Sequence, residues 1–168
     1  MHVFRLLSAA IFLLLANVLH AETVVIAKNI AYHPNARIQQ NVRNECTALG
    51  TKLASFTQKF AKSNGITVEL VDTIDINANG DVLELYIDEA VSSGNAFIGH
   101  RKYVAVVGTL YRDGKKISTF QGGRNSMGGA FAGYKGSCSV LGRCTKALGK
   151  DVANWLKNPV DHATLGDG

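Results

Sequence analysis

Proline is scarce in this chain, with two residues in 168, and tryptophan occurs once. With apolar content near half and only moderate charge, this composition excludes a disordered or proline-rich linker protein and predicts a globular domain. Catalytic signatures are missing as well. There is no Gly-x-Ser-x-Gly elbow and no Ser-x-x-Lys run. Beyond residue 21 the histidines are His33, His100 and His162, and no ligand pairs have zinc-binding spacing. No cofactor and no metal are therefore expected. Apolar runs long enough to span a bilayer are absent after Leu19. No cysteine closely follows the apolar run at the N-terminus, which excludes acylation at a lipobox.

That first run has the three parts of an export signal. Met1 to Arg5 supplies a short, singly charged start, and Leu6 to Leu19 is apolar except for Ser8 and Asn17. Leu19-His20-Ala21 then offers a small residue at the cut. The run is shorter than the ~20 residues of a membrane-spanning helix. Residues 1–21 are expected to be a signal peptide, residues 22–160 a single domain and residues 161–168 a loose tail. The mature chain is expected in the periplasm or outside the cell.

Charge is unevenly spread. Seven acids and no base lie between Glu69 and Glu89, whereas eleven bases lie between Arg101 and Lys157 with only Asp113 and Asp151 to offset them. Two causes fit: complementary charges on neighbouring strands, which is the favoured one, or a basic flank that meets an anionic surface.

The periodicity predicts β-α-β-β-β-β-α. Thr23 to Ala27 reads as a strand, and Tyr32-His33-Pro34-Asn35 as a turn. One long helix follows from Ile38 to Asn64-Gly65, because Val42, Cys46, Leu49, Leu53, Phe56 and Phe60 recur at spacings of three and four. Ile66 to Val71, Val82 to Ile87, Arg101 to Arg112 and Lys115 to Gln121 alternate as strands, with turns at Asn79-Gly80 and Asp113-Gly114. These four read as an antiparallel meander. A second helix carries Cys144, Leu148, Val152 and Trp155 on its apolar face and is stopped by Pro159. The expected fold is a two-layer α+β domain: a mostly antiparallel sheet with two amphipathic helices on one face. The first strand should run parallel to its neighbour, across a helical crossover. The strand at 101–112 is apolar on both sides, with Tyr103, Ala105 and Val107 on one and Val104, Val106 and Leu110 on the other. One helical layer covers only one side. The other calls for the glycine-rich stretch or a second subunit.

Two segments invite a chemical reading. Asp75-Ile76-Asn77-Ala78-Asn79-Gly80-Asp81 matches the first half of an EF-hand loop, but Tyr86 stands where the bidentate Glu belongs. Turn chemistry accounts for the same residues. The stretch from Gly122 to Gly136 lacks the Gly-Lys-Ser/Thr ending of a phosphate loop. Its small residues suit close packing, with Phe131 and Met127 as plugs. Arg124, Asn125, Ser126, Phe131 and Lys135 make it the candidate contact surface. No specific nucleic-acid site is expected, and the partner would be an envelope protein or a second copy of the chain.

Cys46, Cys138 and Cys144 are three, so one must stay free or pair elsewhere. If the last helix starts near Arg143, Cys138 and Cys144 close a small loop, and this is the expected pair. If it starts at Ser137, they stand roughly 9 Å apart along the axis, beyond the usual limit of ~7 Å. Cys46 would then be the partner of one of them. The odd cysteine with His100 makes an exported hydrolase the alternative function.

The run Gly133-Tyr134-Lys135-Gly136-Ser137-Cys138, leading to Leu148-Gly149-Lys150-Asp151-Val152-Ala153-Asn154-Trp155-Leu156, resembles bacterial families of short exported envelope domains of unknown function. The resemblance implies a sheet closed by an amphipathic helix and a place in the cell envelope. It implies no catalytic residues. A non-enzymatic binding or assembly module is the expected function.

Overall fold

A computed structural model describes residues 23–95, 99–126 and 136–167. It has seven strands and three helices: β1 (Thr23–Ala27), β2 (Tyr32–Ile38), α1 (Gln40–Glu45), α2 (Leu49–Ser63), β3 (Thr67–Val71), β4 (Asp81–Asn95), β5 (Gly99–Arg112), β6 (Lys115–Ser126), α3 (Ser137–Trp155) and β7 (Ala163–Gly166). The strands form one sheet in the order β3-β1-β4-β5-β6-β7, with β2 also paired to β4. The α+β, two-layer reading holds, and β1 is parallel to β3 as the crossover requires.

Several local expectations are corrected. The four late strands are not a simple meander, because β1 lies between β3 and β4 and is parallel to both. The long antiparallel ladder is β4-β5-β6, turned at Asp113-Gly114, where both residues take positive φ. Shorter parallel pairings flank it. The segment expected to turn at Pro34 is instead β2, running parallel to β4 across a bulge at Asp88. Proline is tolerated there because β2 is an edge strand.

The single long helix is two. The break falls at Cys46, where the backbone leaves helical geometry and Leu49 N–H turns back to the Cys46 carbonyl. The apolar spacing runs through the break unchanged, since Val42, Cys46, Leu49 and Leu53 are all buried. Periodicity therefore gave no sign of it. Ala54, Thr57 and Ala61 are also fully buried on α2, against α3. Their small size lets the two helices approach closely at Gly149, where a Cβ would stand 2.7 Å from Phe56 Cβ and 2.9 Å from Thr57 N.

The C-terminus is not a loose tail. Ala163–Gly166 pairs in parallel with β6, and Leu165 and Ala163 pack against the core. Polar contacts of the flanking carboxylates add to this. Asp161 Oδ1 accepts the Thr119 N–H and hydroxyl at 2.8 Å each, and Asp167 Oδ2 accepts the Asn125 N–H at 2.9 Å. Hydrophobic patterning could not reveal such an attachment. Among the described residues no helix is long and apolar enough to cross a membrane.

The disulfide joins Cys46 to Cys138, with Cα atoms 5.1 Å apart, and Cys144 is free. This corrects the local Cys138–Cys144 loop. Because α3 begins at Ser137, those two cysteines lie on one helix, too far apart to bridge. The bridge staples the end of α1 to the start of α3.

Candidate functional site

The residues of β5 alternate between two environments. Val104, Val106 and Leu110 face the helices and are at most 1 % exposed, whereas Tyr103, Ala105 and Val107 on the other side are only half-buried. Strand alternation predicted this division. Cross-strand register extends the outer row. Tyr103 lies between Val91 and Asn125, Ala105 between Glu89 and Gly123, Val107 between Tyr86 and Gln121, and Thr109 between Glu84 and Thr119.

This outer face has a polar and aromatic lining. The Glu84 carboxylate accepts hydrogen bonds from Tyr86 at 3.0 Å and Tyr111 at 3.4 Å. The bond to Glu84 raises the Tyr86 phenol above its ordinary range, and burial does the same for Tyr111. Both therefore stay protonated donors near neutral pH. The His33 and Tyr86 rings meet edge to face with centroids 5.6 Å apart, and Arg37 bonds Glu89 at 2.5 Å. Three shallow depressions of about 230, 230 and 280 Å³ meet around Val107, Thr119, Phe120 and Gln121. Their shape suits a broad contact rather than an enclosed small molecule.

The glycine-rich stretch divides between described and undescribed residues. Gly122 and Gly123 belong to β6 and serve packing. A Cβ on Gly122 would stand 2.8 Å from Leu165 Cβ, and one on Gly123 would run into the Tyr103 ring. Arg124 is a brace. Its Nε and Nη2 donate to the Asp151 carboxylate at 2.8 and 2.9 Å, and Nη1 donates to Asp167 at 2.6 Å. The bonds to Asp151 hold its guanidinium charged against partial burial. Asn125 is exposed beside it, and Ser126 ends the strand. Met127, Phe131 and Lys135 lie outside the described residues.

The Cys/His idea meets a buried thiol. Cys144 is 2 % exposed, its Sγ donates to the Lys102 carbonyl at 3.8 Å, and burial pushes its pKa up to about 11. Such a thiol is almost wholly protonated at neutral pH and a poor nucleophile. The side chain of His100 lies outside the described residues. In the EF-hand-like segment, Asp75 accepts the Asn77 N–H in a local turn, and Asp81 makes a two-pronged pair with Arg112 at 2.6 Å. Asp81 and Arg112 sit directly opposite on β4 and β5, so complementary strand charge explains part of the uneven distribution. Among the described residues no group of metal-ligating side chains converges.

The Glu84, Tyr86 and Tyr111 cluster and the place of Gln121 beside the outer row were not identified from sequence. Alternation alone places Glu84 and Tyr86 on one side of β4. Only the pairing register brings Tyr111 to the same carboxylate.

No family model and no curated protein matches the chain. Solved structures do. Protein XCC0632 from Xanthomonas campestris, a DUF330 protein, is 14 % identical with a TM-score of 0.52, covering 81 % of this chain and 83 % of its own. A minor lipoprotein from Acinetobacter baumannii is 11 % identical with a TM-score of 0.48, over 85 % and 98 % of the two chains. The PelC dodecamer from Paraburkholderia phytofirmans is 15 % identical with a TM-score of 0.47, over 77 % and 87 %. At such identities the likeness concerns the fold, and the Xanthomonas protein, with its TM-score above 0.5, supports it: this chain has an α+β architecture already seen in a bacterial protein.

Proposed function

We propose that the protein is an exported, non-enzymatic module of the cell envelope that binds a protein partner through the outer face of its sheet. The observation that carries this reading is the row Tyr103, Ala105 and Val107 on the central strand, which no described element covers. A half-buried apolar row rimmed by tyrosines, Gln121 and the Arg37–Glu89 pair has the makeup of a protein-binding surface. The Cys46–Cys138 disulfide supports an oxidising compartment. The deeply buried, protonated Cys144 thiol favours binding over nucleophilic chemistry.

The test places a photo-crosslinking amino acid at exposed Gln121 and, as a control, at exposed Lys146 on α3. In intact cells, position 121 should give a discrete adduct and position 146 none. An adduct of twice the chain mass identifies a second copy as the partner. Equal labelling from both positions, or none from 121, overturns the assignment of the face. Mass spectrometry of the native protein checks export separately: a chain beginning near Glu22 with one free thiol is expected, and Met1 retained in a cytosolic fraction refutes it.

A further inference from the structure

A second feature lies at the other side of the sheet. Lys102 follows the alternation of Val104 and Val106, so its side chain runs under the helical layer, and it is only 7 % exposed. Its ammonium donates to Ser92 Oγ, directly opposite on β4, at 2.6 Å, and to Ser137 Oγ at 3.4 Å. Those are neutral hydroxyls. No carboxylate among the described residues pairs with it, and Asp151 and Asp167 are both engaged by Arg124. The sequence at 96–98 and 127–135 contains no Asp or Glu. A buried cation without a counter-ion is costly, and an anion that neutralises it is correspondingly favoured.

The surroundings supply further donors. Ser137 opens α3, a helix whose N-cap Gly136 has no capping side chain and whose first turn has no acid. The first N–H groups of such a helix attract anions. The Ser92 and Ser137 hydroxyls receive the ammonium, and no acceptor for their own protons is found among the described residues. Gly136 is exposed and Ser137 half-exposed, which leaves an approach from solvent. An ammonium, two hydroxyls and a helix N-terminus together fit a ligand with several acceptor oxygens.

We infer that Lys102, Ser92 and Ser137, with the start of α3, form a binding site for a phosphate group. The test uses the full mature chain labelled with ¹⁵N-lysine and titrated with inorganic phosphate. The Lys102 Nζ resonance should move saturably with phosphate, and sodium chloride at matched ionic strength should not move it. The melting temperature should rise with phosphate concentration as expected for a ligand bound to the native state alone. Lys102→Gln should weaken the interaction about tenfold or more, while Lys146→Gln on the exposed side of α3 leaves it intact. A short-chain phosphatidic acid that binds more tightly than inorganic phosphate identifies a lipid headgroup as the source, and equal binding identifies free phosphate. A Lys102 resonance indifferent to phosphate, or one that responds equally to chloride, overturns the site. Because the wild-type titration reads Lys102 directly, that conclusion stands even where Lys102→Gln fails to fold.

Discussion

The two faces of the central sheet are built from the same strands and differ sharply in burial. Facing the helices, Leu83, Leu85, Ile87, Val104, Val106 and Leu110 are sealed beneath α2 and α3. Each such side chain contributes about 1.5–3 kcal/mol of burial free energy. On the outer side, one residue along, Ala105 and Val107 keep part of their surface in water among Glu84, Tyr86 and Gln121. Their alternation satisfies strand geometry without completing a core. One face therefore holds the fold together, and the other, which no described element covers, is the face proposed to carry recognition. The disulfide and the helix contacts at Gly149 all lie on the first side.

This contrast makes ordered predictions. The largest effect should come from the staple. A bridge that closes 92 residues of sequence separation is worth about 4–5 kcal/mol in the chain-entropy account, so Cys138→Ser should lower the unfolding free energy in urea by a large part of that. Leu148→Ala, at a fully buried position on α3, should cost about 2–5 kcal/mol. Val107→Ala on the outer face should cost less than about 1 kcal/mol and should reduce the cross-linking from position 121. Comparable costs at Leu148 and Val107 would erase the distinction between the faces. Gly149→Ala should cost about 1–3 kcal/mol, because the added methyl meets α2 backbone that cannot yield. An unchanged midpoint would show that the helices can part without penalty.

How much of this was legible beforehand follows from the kind of signal each feature leaves. Alternation on β5 and the Asp113-Gly114 turn are local, and both were read correctly. The buried face of α3 was equally plain from Cys144, Leu148, Val152 and Trp155. The position of β1 between β3 and β4 is a long-range pairing, and no run of residues records it. The true disulfide hung on one boundary: a start of α3 at Ser137 excludes the Cys138–Cys144 loop and leaves Cys46 as the partner. Arg124 stood out as a basic residue in a glycine-rich stretch, yet its partners Asp151 and Asp167 are far along the chain. Lys102 looked like one charge among many, because burial of a lysine stem becomes visible only when the helical layer is in place.

The strand β7 borders both faces, since Thr164 lines an outer depression while Leu165 packs against the core, and its attachment should respond to acid. Asp167 is exposed, and its carboxyl is held below the usual carboxylate range chiefly by the Asn125 N–H, with Arg124 adding to the effect. Asp161 is lowered in the same way, first by the Thr119 hydroxyl. Each group ionises more readily in the folded chain than in the unfolded one. Its contribution is therefore complete above the unfolded carboxylate value of about 3.9 and fades as pH falls through the lower folded value. Amide hydrogen exchange in Ala163–Gly166, corrected for intrinsic rates, should accelerate over that interval while the Val104 and Val106 amides stay protected. Asp167→Asn should remove much of the pH dependence, because the amide oxygen still accepts the Asn125 N–H but carries no charge to lose. Exchange in β7 that is independent of pH, or that follows the core amides step for step, would mean that apolar packing of Leu165 rather than the two carboxylates fastens the strand.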